Sequence, residues 1–152
     1  MKLVPKFSKA DIQKFLEDKM KALDTATLTR LKRIGETFVK NARENGNYTD
    51  MTGNLRNSIG YVILRDGEQL FQNFKKAARV KSDTTGANTA QRVALEVAAS
   101  FPRGYVLIVV AGMDYAAAVE SRGKDVITAS SITAKNDLSK AVDAIKRSLA
   151  RS

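Results

Sequence analysis

Cysteine, histidine and tryptophan are absent from these 152 residues, and only two prolines occur. Without thiols there can be neither disulfides nor thiol chemistry, and the redox compartment stays open. Without histidine or cysteine the usual zinc sites, Cys–His and Ser–His pairs and histidine general bases are excluded. No stretch approaches the roughly 20 apolar residues of a membrane span. Met1–Lys6 lacks the apolar core of a signal peptide, so synthesis in the cytosol and no membrane partner are expected. There is no glycine-rich phosphate loop, and nothing in the spacing of Asp50, Asp114, Glu120 and Asp125 sets two carboxylates up as an acid–base pair. The chain is therefore expected not to be an enzyme and to carry no cofactor or metal.

What is present suits a folded domain. Hydrophobic residues make up 43% of the chain, enough for a core, and the length predicts one domain spanning 1–152. The formal charge is +10, unevenly spread. Residues 1–45 carry 11 basic and 6 acidic side chains, residues 75–103 carry 6 and 2, and residues 135–152 carry 5 and 2. The stretches 46–74 and 104–134 each hold 2 basic and 3 acidic residues. Such a surface would attract DNA or an acidic protein, or it would simply solvate helix faces. A stand-alone nucleic-acid-binding module is one alternative, but 4 Tyr and 6 Phe give no clear stacking platform, and no helix-turn-helix or zinc pattern is present.

Periodicity places the elements. Ser8 can cap a helix with Asp11 three residues on, and Ile12, Phe15, Leu16, Met20 and Leu23 then keep helical spacing. Leu28, Leu31, Ile34, Phe38 and Ala42 continue the stripe to Asn45-Gly46, and the whole stripe reads as core. Residues 9–45 form one helix of about 55 Å, or two helices with a break near Asp24-Thr25. Ser58–Arg65 and Glu68–Phe74 read as a hairpin about an Asp66-Gly67 type I′ turn. Thr89–Ser100 reads as a helix and almost wholly apolar Tyr105–Ala111 as a buried central strand. A short helix over Asp114–Ser121 and a strand over Asp125–Ser130 follow. A last amphipathic helix from about Lys135 to Ala150 would bury Leu138, Val142, Ile145 and Leu149. Polar Lys81–Asn88 marks 75–103 as a flexible basic insertion, with Lys75, Lys76, Arg79 and Lys81 as candidates to face DNA or an acidic partner. The fold class is α+β: an N-terminal helix or helix pair, an antiparallel sheet with a hairpin, a short helix and a C-terminal amphipathic helix.

Two segments stand out. In Asp50-Met51-Thr52-Gly53-Asn54-Leu55-Arg56-Asn57-Ser58-Ile59, Gly53 and Asn54 tolerate positive φ, so the chain can reverse there at low cost. Leu55 and Ile59 would anchor this turn while Arg56 and Ser58 stay available, Arg56 suiting a bidentate contact to a carboxylate on a neighbour or on Glu120. Asp114–Gly123 puts Tyr115, Val119 and Arg122 on one helical face, with Glu120 beside them and Gly123 as the stop. Taken by themselves, these are a helix-to-strand connector and a core-capping helix.

The wording of both segments resembles a family of small neck or tail-component proteins of long-tailed double-stranded DNA bacteriophages. Asp-x-Thr-Gly-x-Leu-Arg-x-Ser-Ile is similar to that family's signature, and Tyr115-Ala116-Ala117-Ala118-Val119-Glu120-Ser121-Arg122-Gly123 to its Tyr-Ala-x-x-Val-Glu-x-Gly element. The likeness covers most of the chain. It departs where Ser130-Ser131-Ile132-Thr133-Ala134 replaces a Pro-Phe-Leu-like start to the last helix, and where 75–103 is longer and more basic. It implies a structural virion protein at the neck, made in the bacterial host cytoplasm. Subunits would form a homo-oligomeric ring that joins or completes the tail, contacts neighbouring neck, tail-terminator or tail-tube proteins, and leaves a channel for packaged DNA. A minor tail protein is the nearby alternative. Asp50, Thr52, Gly53, Asn54, Leu55, Arg56, Ser58, Tyr115, Glu120, Arg122 and Gly123 are the implied interaction residues.

Overall fold

The computed structural model describes Val4 and residues 6–75, 84–113 and 116–151. A single helix, α1, runs from Lys9 to Asn45. Ser8 and Asp11 close a capping box, in which the Ser8 hydroxyl accepts from the Asp11 N–H and the Asp11 carboxylate accepts from the Ser8 N–H at 2.7 Å. The helix does not break at Asp24-Thr25. Thr25 and Thr29 turn their hydroxyls back onto the Lys21 and Thr25 carbonyls, so neither competes for a cap. Asp24 instead reaches Arg65 at 2.7 Å and the Tyr105 hydroxyl at 2.9 Å.

After α1 come the four-residue helix α2 (Asn54–Asn57), the strands β1 (Ile59–Arg65) and β2 (Glu68–Asn73), helix α3 (Thr85–Ala98), strand β3 (Tyr105–Ala111), helix α4 (Ala116–Ser121) and helix α5 (Thr128–Arg151). Asp66 and Gly67 both take positive φ, 52° and 81°, as the type I′ turn between β1 and β2 requires. The sheet is fully antiparallel in the order β2-β1-β3. β1 is therefore the central strand, and the expectation that Tyr105–Ala111 would be central is corrected. Both strands are apolar on both faces, but β1 acquires two neighbours because the hairpin and the return of β3 fall on opposite sides of it.

Alternation along the sheet divides the core. Ile59, Tyr61 and Ile63 face Leu31, Ile34, Phe38, Val39 and Ala42 of α1, together with Ala134 of α5. Val62, Leu64, Ile108 and Val110 face Ala90 and Ala94 of α3 on the other side. α3 docks through small residues: its buried positions are Gly86, Ala90 and Ala94, four apart, while Leu95 and Val97 point outward. A Cβ on Gly86 would overlap the Asn54 carbonyl oxygen, and one on Gly112 would overlap the Ala90 backbone. The flexible-insertion expectation for 75–103 is thus corrected from Thr85 onward, because close packing of those small residues holds the segment on the sheet; residues 76–83 lie outside the described residues.

Three further readings are revised. Asp125–Ser130 is not a strand: Asp125 accepts from the Ala129 N–H at 3.2 Å, and α5 begins at Thr128. α5 buries Ser130 and Ala134, with Leu138 and Ala141 half-covered, whereas Val142 and Leu149 are exposed. The apolar stripe of α1 is core only from about Leu28. Every residue from Lys9 to Ala22 is exposed, including Ile12, Phe15, Leu16 and Met20 at 47–62%. The sheet and α5 are too short to cover a 37-residue helix, so its first half projects as an arm.

Candidate functional site

The two motif segments meet. Leu55 of α2, Ala116 of α4, Val126 and Tyr48 form one buried cluster, with Ala111, Met113, Val119 and Ile127 packed against it. The region lies where α1 ends, where β1 begins and where β3 leaves the sheet. Gly53, with φ of 76°, starts α2 in the left-handed region that glycine favours, and is itself buried. Asp50 accepts the Arg56 N–H at 2.8 Å, and the Thr52 hydroxyl accepts the Asn54 N–H at 3.3 Å. Ser58 and Asn57 are fully buried, and the Ser58 hydroxyl donates to the Leu55 carbonyl at 2.7 Å. Met51, at 94% exposure, and Thr52 stand at the tip.

Arg56 is not a free guanidinium, as the sequence reading had it. It donates through Nε to the Arg43 carbonyl at 3.1 Å and lies 5.0 Å over the Tyr48 ring. Arg43 answers with Nε to the Arg56 carbonyl at 3.0 Å, and with its Nη2 to the Ile59 and Lys75 carbonyls at 2.8 and 2.6 Å. These reciprocal bonds fasten the end of α1 to the turn, the start of β1 and the chain leaving β2. Burial lowers the Arg43 pKa from its ordinary value. Burial likewise pushes the Tyr48 phenol up to about 12, and among the described residues its hydroxyl has no hydrogen-bond partner.

Glu120 pairs with neither arginine. One carboxylate oxygen accepts from the N–H groups of Val126, Ile127 and Thr128 at 3.2, 2.8 and 3.1 Å, and from the Thr128 hydroxyl at 3.0 Å. It thereby collects the free donors at the start of α5. Burial alone would raise the Glu120 pKa, but these donors outweigh it and hold the carboxyl below its ordinary value. Gly123, φ 76°, ends α4 with its N–H on the Glu120 carbonyl at 2.9 Å, and Arg122 is exposed beside it. Asn47 ties the segments by accepting the Asp125 N–H at 2.9 Å.

Of the residues singled out from sequence, Asp50, Gly53, Leu55, Arg56, Ser58 and Glu120 build this junction, and Asn54 and Gly123 shape its backbone. Thr52, Arg122 and the exposed Lys75 face outward. Tyr115, Lys76, Arg79 and Lys81 lie outside the described residues. Sequence reasoning missed Arg43, Tyr48 and Asn47, since a basic residue in a last helical turn reads as solvated charge. Among the described residues no three acidic side chains gather as a metal-binding group, and no helix is long and apolar enough to cross a membrane. None of the protein families, characterised proteins or solved structures compared with this chain matches it.

Proposed function

We propose that this chain is a structural virion protein of a long-tailed double-stranded DNA bacteriophage, acting in the neck between capsid portal and tail as a ring-forming subunit without chemistry of its own. The observation that carries the assembly part is the uncovered arm of α1. Ile12, Phe15, Leu16 and Met20 are large apolar side chains on one projecting helix, continued toward the N-terminus by Phe7 at 62% exposure. A surface of that kind marks a protein contact. The phage assignment rests on the resemblance of the Asp50–Ile59 and Tyr115–Gly123 wording. Within it, the junction is a rigid buttress, and Met51, Thr52 and Arg122 are the side chains it presents to neighbouring subunits or rings. Packaged DNA would meet the basic surface through backbone charge and not through base edges.

Electron microscopy of particles carrying a labelled copy tests the assignment. The label should sit between portal and tail tube, in several copies about the axis. A label elsewhere in the particle, or particles complete without the protein, overturns it. Tight, sequence-selective DNA binding by the free protein would favour the nucleic-acid-binding alternative, for which a cleft of about 340 Å³ lined by Arg30, Arg33 and Lys140 beside Asp137 offers a surface.

A further inference from the structure

The sheet has two unlike edges. On β2 the edge is polar, with Glu68 and Gln69 exposed, and its register against β1 slips between Ile63 and Leu64. Those are devices that blunt an edge against further pairing. β3 has none of them. Tyr105–Ala111 is Tyr-Val-Leu-Ile-Val-Val-Ala, seven residues without charge, proline or glycine, in unbroken register with β1.

The hydrogen bonds reveal which backbone groups of β3 point outward. The Gly112 N–H bonds the Ser58 carbonyl and the Asp66 N–H bonds the Gly104 carbonyl, each at 3.0 Å. Both lie in the same register as the strand pairing, so the alternation of an antiparallel ladder turns Val106, Ile108 and Val110 toward β1. Tyr105, Leu107, Val109 and Ala111 then direct their N–H and C=O groups away from the sheet, and among the described residues no backbone group meets them.

We infer that β3 is a pairing edge whose occupant is β3 of a second copy of this chain, joined antiparallel about Ile108 into a six-stranded sheet. The occupant follows from the side chains. One face of β3 continues the layer under α1, through Leu107 and Val109, and the other continues the layer under α3, through Val106, Ile108 and Val110. A strand added beside it must be apolar on both faces. An ordinary amphipathic strand would set polar groups into one of the two layers. β3 itself meets that requirement, and with no charged residue it sets no like charges opposite one another at the seam. Full overlap pairs Tyr105 with Ala111 and Leu107 with Val109 of the other copy, which meets all the outward groups. Both α1 layers come to the same side of the joined sheet. A two-fold contact closes on itself and cannot generate a ring. It is therefore additional to any neck contact and does not rest on the neck reading.

The absence of cysteine gives a clean test. In this pairing Ile108 faces its own copy as a non-hydrogen-bonded pair with Cα atoms about 4.5 Å apart, within the roughly 4.4–6.8 Å that a disulfide accepts. Under mild oxidation the full chain carrying Ile108→Cys should form a covalent dimer. Val106→Cys and Val110→Cys should each stay uncross-linked alone and cross-link when mixed. The unsubstituted chain should show twice its monomer mass by light scattering. Val109→Pro, which deletes an outward donor and no hydrogen bond to β1, should return it to monomer mass with its circular dichroism retained. A monomer at every concentration without the Ile108→Cys disulfide overturns the inference. So does a larger assembly in which Ile108→Cys fails to cross-link. A cross-linked dimer of a protein that phage particles lack altogether would leave this inference standing and remove the neck reading.

Discussion

Arg43 holds three backbone carbonyls that would otherwise be poorly met, those of Arg56, Ile59 and Lys75. Hydrogen bonds to a charged donor contribute about 1.5–3 kcal/mol each at most, and the losses are not additive. Arg43→Ala should therefore cost about 2–4 kcal/mol in urea unfolding, and Arg56→Ala less, because Arg56 meets one carbonyl and one ring face. An Arg43→Ala protein as stable as the parent would show that the carbonyls find water at no cost. Tyr48 makes the opposite case. Its buried hydroxyl has no partner among the described residues, so Tyr48→Phe should be neutral or raise stability by up to about 1 kcal/mol. Glu120 gives a pH signature. Its folded pKa lies below the ordinary 4.5, so its contribution is complete above that pH and is lost as pH falls through the lowered folded value. Glu120→Gln keeps an acceptor oxygen but loses the charge. Its stability should be lower at neutral pH and fall less steeply on acidification, as denaturation curves between pH 7 and pH 3 would reveal.

Among the elements, α1 is one helix with two environments. Phe38, 1% exposed, is locked between sheet and α5, and Phe38→Ala should cost about 3–5 kcal/mol. Leu16, 55% exposed on the arm, should tolerate Leu16→Glu within about 0.5 kcal/mol for the isolated subunit, while infectious particle yield falls sharply if the arm is an assembly contact. Equal destabilisation by both changes, read by thermal melting, would mean the arm is packed in solution. α3 depends on smallness. Gly86→Val would drive a branched side chain into the Asn54 carbonyl and should cost at least about 1–3 kcal/mol. A sequence reader looks for large apolar residues at helical spacing, and here those residues, Leu95 and Val97, face solvent while Ala90 and Ala94 do the packing.

At the scale of the molecule, the described residues form three apolar clusters that share β1 or its flanks, and none of these includes a described residue before Leu28. A variant lacking residues 1–22 should keep cooperative unfolding and a melting temperature within a few degrees of the parent, since no cluster loses a member. Loss of cooperativity would show that the arm supports the body. Residues 1–22 carry 6 basic and 3 acidic side chains, so +7 of the +10 charge stays with the arm-less variant. Any DNA affinity of the arm-less variant should accordingly persist and weaken steeply with salt.

The elements themselves were legible from local chemistry. Ser8 and Asp11 set the start of α1, Asp66-Gly67 set the hairpin, and Gly53 and Gly123 set two reversals, because caps and positive-φ turns act over three or four residues. The extent of the apolar stripe from Ile12 to Ala42 was legible too, and so was the prominence of the two motif segments. What covers a stripe was not, because coverage depends on the lengths of partners distant in sequence. Tertiary structure decided that the sheet ends near Asp24, leaving the arm bare. It placed β1 and not β3 at the centre, since both are apolar on two faces and only the path of the chain distinguishes them. It also turned Arg56 and Glu120 inward: carbonyls of α1 and amides of α5, more than 7 and up to 13 residues away, offered them partners that no local pattern announces.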